Sequence, residues 1–249
     1  MEHTETSMPG GVGNAGHVVR AGDTVRRPVG PQTPAVQAFL THLERRGFAG
    51  APRHLGYDEQ GREVLTYVHG DVAHHAEVPD WCTTDDALVS VVRLVRGLHD
   101  AAREFMPPAD ANWAWPPPHE YRGDVVCHND VCRENVVFRD GAAHALIDFD
   151  FAAPATPEWD AASVVRHWVL ALPGDRIRRT WLVAETYPLD VRDLGRAVAA
   201  RLDWGVAMVG ARAAAGEPGF VEMWESGAYD RNRALHTWVV EHLYGDAHG

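Results

Sequence analysis

Three oxygen-bearing side chains, Asp130, Asn135 and Asp148, fall within one short stretch. It reads His128-Asn-Asp-Val-Cys-Arg-Glu-Asn, then two apolar runs, then Ile147-Asp-Phe-Asp. Asp130 and Asn135 are five residues apart, and Asp148 follows thirteen after Asn135. Between them Val136 to Phe138 and Ala142 to Ile147 flank the turn dipeptide Asp140-Gly141, the pattern of a β-hairpin. A hairpin returns the chain to its start, so all three side chains are brought to one end. A carboxylate at Asp130 can accept a hydroxyl proton, while the amide oxygen of Asn135 and the carboxylate of Asp148 are hard donors of the kind Mg2+ takes beside phosphates. His-x-Asp-x-x-x-x-Asn alone fixes few positions and recurs by chance. A buried-looking strand that ends in Asp148-Phe149-Asp150 needs a cation or a partner to compensate its carboxylates.

Composition narrows what surrounds this stretch. The chain has 249 residues, 45% hydrophobic and 23% charged, which suits a globular protein of one large domain or two small ones. Lys+Arg number 23 against 35 Asp+Glu, a net charge of −12; this argues against a nucleic-acid surface and permits a cationic ligand. Three cysteines suit a reducing compartment better than a disulfide framework. Cys127 and Cys132 match no common zinc spacing and read as small packing residues around a tight loop. His74-His75 with Cys82 lacks a second spaced pair and reads as a solvated linker rather than a metal cluster. Residues 1–9 are polar and acidic, unlike a signal or transit peptide, and no apolar run approaches the roughly 18 residues of a membrane span. The expectation is a cytoplasmic protein without nucleic-acid or membrane partners.

The elements that must position the site follow from periodicity. Residues 1–9 read as a flexible lead. Residues 10–70 read as a small antiparallel sheet with one helix: strands on either side of Ala21-Gly-Asp, a helix over 34–46 with Val36, Phe39, Leu40 and Leu43 on one face, and strands near 54–57 and 62–68. From 71 to 249 the pattern is mainly helical. Thr83 with Asp86 suggests a capping box before the stripe Leu88, Val91, Val92, Val95 and Leu98. A Pro- and Trp-rich loop over 107–118 leads into the catalytic stretch. Further helices are predicted over 158–172, 176–187, 190–214 and 229–245, with Gly216-Glu-Pro as a stop signal.

Upstream, Gly11-Val-Gly13-Asn14-Ala-Gly16-His-Val18 fits Gly-x-Gly-x-x-Gly-x-Val between two predicted strands. Glycines let the backbone approach phosphates and aim its N–H groups at them. A dinucleotide-binding reading fails, because that fingerprint needs a strand before it and a helix at its end; a Walker loop fails for want of Gly-Lys-Ser/Thr. A glycine-rich lid on a β-hairpin remains. The next strand carries Arg26 and Arg27, of which one faces the surface the glycines cover.

In this order, the glycine loop, a cationic strand, His128-x-Asp130-x-x-x-x-Asn135 and Ile147-Asp148-Phe-Asp resemble the aminoglycoside phosphotransferase family, the small-molecule relatives of protein kinases, over residues 10 to about 172. The resemblance implies an α+β, two-lobed protein-kinase-like fold, a small N-terminal antiparallel-sheet lobe and a larger, mainly helical C-terminal lobe. It also implies ATP or GTP with Mg2+ between the lobes, and transfer of the γ-phosphoryl to a small-molecule hydroxyl. Asp130 would then orient that hydroxyl, Asn135 and Asp148 would hold Mg2+, and Gly11, Gly13, Asn14 and Gly16 would form the lid. Arg26 would meet the α- and β-phosphates, backbone groups from Thr66 to Val68 would meet the base, and Asp160 would brace the catalytic loop. The family's lysine is here an arginine, whose fork clasps phosphates in a bidentate way. Val36 and Gln37 stand where the family's helix supplies a glutamate for that cation, so its partner comes from elsewhere or the phosphate end is built differently. Acceptor contacts are expected among Asp150, Glu158, Trp159, Trp204, Glu222 and Trp224, where aromatic faces beside carboxylates suit a sugar or cationic ligand. An antibiotic hydroxyl, of aminoglycoside or nucleoside type, fits the resemblance, with resistance or self-protection as the result. A catalytically weak nucleotide-binding or immunity protein on the same fold is the alternative.

Overall fold

A computed structural model describes residues 4–8, 17–73 and 78–244. In its first part, β1 (Glu5–Ser7), β2 (Val19–Ala21), β3 (Thr24–Arg27), β4 (His54–Tyr57) and β5 (Glu63–Thr66) form one antiparallel sheet ordered β1-β2-β3-β5-β4. Helix α1 (Thr33–Arg45) buries Val36, Phe39, Leu40 and Leu43, the stripe its sequence predicts. The register of β3 on β5 sets Val25 opposite Leu65, Arg26 opposite Val64 and Arg27 opposite Glu63. Because side chains alternate, Arg27, Glu63 and Leu65 share one face and Arg26 points to the other. Residues 5–7, expected in a flexible lead, instead form the sheet's edge strand, pairing with β2.

The second part is built round α2 (Asp85–Ala102), whose Leu88, Val91, Val92, Val95 and Leu98 are fully buried. Its cap is Thr84, not Thr83: the Thr84 hydroxyl accepts from the Ala87 N–H at 3.1 Å, while the Thr83 hydroxyl turns back to the Asp80 carbonyl. Against α2 pack β6 (Val125–Cys127) and the hairpin β7 (Val136–Arg139) and β8 (Ala142–Leu146). Asp140 and Gly141 at its tip have φ of 49° and 78°, the positive pair that a type I′ turn demands. Strand β9 (Ala153–Ala155) pairs with β6 and returns the chain to the loop's entry. Then follow α3 (Pro157–Val164), continued by a π-helical turn over Val165–Leu170, α4 (Arg176–Thr186), α5 (Val191–Ala214), α6 (Pro218–Glu225) and α7 (Ala228–Val239). Gly216 does stop α5, but Pro218 opens a further helix, as proline can in a first turn. The architecture is the expected two-lobed one, a sheet lobe and a helical lobe. No described helix is long and apolar enough to cross a membrane.

Candidate active site

Strand β6 ends at Cys127 and delivers a loop whose geometry is fixed from below by Asp160. This carboxylate is fully buried and accepts from the His128 N–H at 2.8 Å, the Asn129 N–H at 2.6 Å and His99 Nε2 at 3.0 Å. Burial alone would raise its pKa, but His99, His128 and the backbone donors outweigh it and hold the carboxyl below the usual range. Asn129 stands at φ 64°, a left-handed conformation fixed by its amide donating to the Phe151 and Ala153 carbonyls. His128 donates from Nε2 to the Ile147 carbonyl at 2.9 Å and accepts at Nδ1 from the Asp130 N–H at 3.2 Å. Those two bonds define the neutral Nε2–H tautomer, in accord with burial lowering its pKa. His128 therefore ties the backbone of Asp130 to the residue before Asp148.

Asp130 is half-buried, and its Oδ2 accepts from Asn135 Nδ2 at 3.0 Å. The same Nδ2 donates to the Asp130 carbonyl at 3.0 Å, which turns the Asn135 oxygen the other way. Asp148 adopts the left-handed conformation at φ 61°, an arrangement that persists only where surroundings enforce it. Its carboxyl is pushed up to about 6, by burial first and then by Asp150, with Arg27 opposing both.

Arg27, not Arg26, is the cation of this cleft. Its Nε donates to Glu63 at 2.7 Å, Nη1 to Asp148 at 3.1 Å, and Nη2 meets Asp150 at 3.0 Å. Burial would lower the Arg27 pKa, but Asp150, Glu63 and Asp148 together hold it above the usual arginine range. Arg26, on the opposite face, pairs with Glu5 at 3.0 Å. The partner absent from α1 is supplied by β5: Glu63 is 0% exposed and also accepts from Gln37 Nε2 at 3.3 Å. One guanidinium against three carboxylates leaves two negative charges. Together with the outward-turned Asn135 oxygen, that is the charge and the donor set a Mg2+ ion fits. Bound there by Asn135 and Asp148, it would supply charge neutralisation for phosphate oxygens.

The remaining sequence candidates divide. Gly11, Gly13, Asn14 and Gly16, and likewise His74 and His75, lie outside the described residues. The Thr66 N–H is taken up by the Arg53 carbonyl and its hydroxyl by the Arg53 N–H, so this backbone donor belongs to the sheet; Val68 lies just past the strand. Trp159 is fully buried, stacked on Tyr121 and edge-on to Trp204, and is a wall of the lobe rather than a contact surface. Trp204 is half-exposed and also meets Trp115 and Phe151 edge-on, so the Pro- and Trp-rich loop closes over it. Glu158 lies in the first turn of α3, and Asp150 faces Arg27. Glu222 and Trp224 stand on α6, with the Trp224 ring against Gly210 of α5.

Two residues escaped the sequence reading: Arg166 and Arg201, whose guanidinium groups count Asp130 among their charged neighbours. Arginine in a helix carries no signal of its own. His99, Cys127 and Asp160 also converge, with ligand atoms within 4.8 Å of one another. Asp160 is already saturated by donors, and burial raises the Cys127 thiol well above its ordinary range, so the cluster is a hydrogen-bonded brace.

Fold and site together define a kinase-like phosphotransferase architecture. Residues 108–198, which include the catalytic loop, Asp148 and Asp160, match the model of the phosphotransferase enzyme family. The chain resembles the aminoglycoside phosphotransferases and related small-molecule kinases. Over 180 residues, 71% of the chain, it is 32% identical to the trifolitoxin immunity protein of Rhizobium leguminosarum bv. trifolii, and it spans 61% of that protein's length. A choline/ethanolamine kinase family protein from Mesorhizobium loti superposes with a TM-score of 0.64 at 18% identity, over 95% of this chain and 92% of that one. The GDP complex of aminoglycoside 2′-phosphotransferase-IIIa gives a TM-score of 0.59 at 14% identity, with 94% of each chain covered.

Proposed function

We propose that the protein transfers the γ-phosphoryl of ATP or GTP, with Mg2+, to a hydroxyl of a small molecule, an antibiotic of aminoglycoside or nucleoside type, giving resistance or self-protection in the cytoplasm. One observation carries this reading: Asp130, Asn135 and Asp148 converge on one cleft, with Arg27 facing Asp148 from the sheet lobe. Asp130 lies on the acceptor side. Because phosphoryl transfer passes through a loose transition state, its carboxylate aligns the hydroxyl and takes the proton late, and most of the acceleration comes from alignment and electrostatics. The hydrogen bond from Asn135 fixes which oxygen of Asp130 can do so. On the other side Arg27 is positioned for phosphate oxygens, while Asn135 and Asp148 take the metal. The Gly11 to Gly16 lid and the backbone near Val68 complete the nucleotide site in this reading. The nucleotide complex among the structural neighbours supports a triphosphate co-substrate.

A second reading has a specific support: the relative named as an immunity protein, together with an Arg27–Glu63 pair in place of the lysine and helix glutamate. Protection would then come from binding without turnover. One experiment separates the two. Purified protein with Mg2+ and either triphosphate is incubated with hydroxylated antibiotics, and products are read by mass for an added phosphoryl group. Transfer that falls about 100-fold or more in Asp130→Asn supports the enzyme. Triphosphate binding with no added mass, and no effect of Asp130→Asn on protection in cells, supports the immunity protein.

A further inference from the structure

Beneath the loop that carries Asp130 two arginines meet, and the carboxylates nearest them, Asp130 and Asp160, form no direct ion pair with either among the described residues. Arg201 of α5 is 1% exposed, and its ring-like fork lies between Trp159 and Trp204, with Cζ 5.0 and 5.1 Å from their centroids. Its Nη2 donates to the Asn129 carbonyl, one residue before Asp130, while Nε and Nη1 are buried with no hydrogen-bond partner among the described residues. Arg166 comes from the π-helical turn after α3 and reaches the same patch of α5. A Cβ on Gly205, one turn beyond Arg201, would fall 2.6 Å from Arg166 Nη1, so glycine leaves the room this guanidinium occupies. Among the described residues Arg166 makes no hydrogen bond or ion pair.

Two cations side by side in a protein interior repel each other. Burial first, and then Arg166, pulls the Arg201 guanidinium down to about 10, and burial likewise lowers Arg166 from its ordinary value, so the environment of both disfavours the charge. The carboxylates near them are Asp130, which is hydrogen-bonded to Asn135, and Asp160, which is saturated by the loop. Unpaired buried donors on a cationic group call for an anion that arrives with a ligand. The nucleotide already has a cation on the sheet side, Arg27; the arginine pair lies in the helical lobe, where the acceptor binds. The overall charge of −12 does not conflict, because this patch is local.

We propose that the acceptor bears an anionic group, a carboxylate or a phosphate ester, held by Arg166 and Arg201 beside the hydroxyl that Asp130 orients. The inference rests on the phosphotransferase reading and narrows it: an acidic acceptor fits, a polycationic aminoglycoside does not. Within an acceptor series matched for size, hydroxy acids and nucleoside monophosphates are set against neutral polyols and nucleosides and against amino alcohols. Mass-detected transfer should fall in one of the two anionic arms, which also tells carboxylate from phosphate. Arg166→Met should raise KM for that acceptor about 10- to 100-fold, the loss expected for charged hydrogen bonds, with triphosphate affinity unchanged. Arg166→Lys should restore part of it, and Gly205→Ala, which displaces the guanidinium while keeping its charge, should reproduce the loss. Transfer confined to neutral or cationic acceptors overturns the proposal. So does an equal loss of triphosphate affinity in Arg166→Met, which would assign the pair to the γ-phosphate. If no acceptor is modified, inorganic sulfate is titrated against tryptophan fluorescence, since Trp159 and Trp204 flank Arg201. Saturable binding that Arg166→Met abolishes and triphosphate does not displace supports the anion site; its absence overturns it. Failure to bind triphosphate would sink the phosphotransferase reading alone, leaving the sulfate titration to report on the arginines.

Discussion

Glu63→Gln removes the charge that holds Arg27 while keeping its partner's size and one acceptor oxygen. The side chains are 0% and 7% exposed and meet at 2.7 Å, so neither charge is solvated. Breaking a buried pair from one side costs about 3–5 kcal/mol, because the other charge stays behind. Here Arg27 keeps Asp148 at 3.1 Å and Asp150 at 3.0 Å, which places the expected loss at the lower end, about 3 kcal/mol. For a chain of this length each kcal/mol moves the melting midpoint by roughly 2–4 °C, so Glu63→Gln should melt about 6–12 °C below the wild type. Arg27→Met should be worse, since it leaves Glu63 buried alone and Asp148 facing Asp150. The double variant Arg27→Met with Glu63→Leu should recover part of the difference, because apolar replacement of both members removes the stranded charge. Thermal and denaturant melts of the wild type, Arg27→Met, Glu63→Leu and their double variant give the coupling by double-mutant cycle. A Glu63→Gln midpoint within about 1 °C of the wild type would refute the argument that this glutamate is the cation's partner.

Arg26→Ala should shift the melting midpoint by no more than a few degrees and leave triphosphate affinity unaltered, since its pair with Glu5 is part-exposed and lies on the sheet face away from Arg27; melts and nucleotide titration check both. Asp148→Asn should lower the cleft's excess charge by one and remove the Mg2+-dependent gain in triphosphate affinity, about tenfold or more, while binding without Mg2+ is kept; paired titrations with and without chelator decide it. Acid stability should fall in two stages. His128 has its pKa lowered from 6.5, so the unfolded chain takes up a proton the folded one resists, and stability begins to fall as pH drops below 6.5. Asp160 is lowered from 3.8, so its contribution is complete above that value and is lost as pH falls through the folded one; Asp160→Asn should flatten this lower limb in pH-dependent denaturant melts.

What the sequence disclosed was what it stores locally. His128 to Asp150 is one uninterrupted segment, so its hairpin and the convergence of Asp130, Asn135 and Asp148 could be read from spacing. The helices with one-sided stripes, α1, α2 and α5, were legible for the same reason. Arg27 was not separable from Arg26, because the choice depends on a pairing with β5 some 36 residues later that no local pattern records. Reading Glu63 in phase with Leu65 would have been the clue: a carboxylate sharing a strand face with a buried leucine needs a cation opposite. Trp159 was mistaken for a contact because tryptophan beside glutamate has the same composition in a pocket and in a core; only its packing on Tyr121 and Trp204 tells them apart. Thr83 and Thr84 are both competent caps, and the 3-10 turn before α2 decides between them.

The placement of Glu63 also changes what opens and closes this cleft. In the arrangement the resemblance implies, the cation's acid comes from a helix, so shifting that helix breaks the pair. Here Arg27 and Glu63 are cross-strand neighbours in one sheet, and α1 touches the pair through Gln37 at 3.3 Å. Rotating α1 would lose one weak hydrogen bond and leave the buried pair intact. The other two arms of the guanidinium, to Asp148 and Asp150, do cross between the lobes. Separating the lobes must therefore break those two contacts and not the third. In the phosphotransferase proposed above, a triphosphate with its metal would compete for two of these groups: phosphates for Arg27, the cation for Asp148. On that reading lobe closure and nucleotide entry would be set against each other at one guanidinium, a task arginine can serve because its fork presents separate edges to the sheet and to the cleft, and a lysine ammonium cannot.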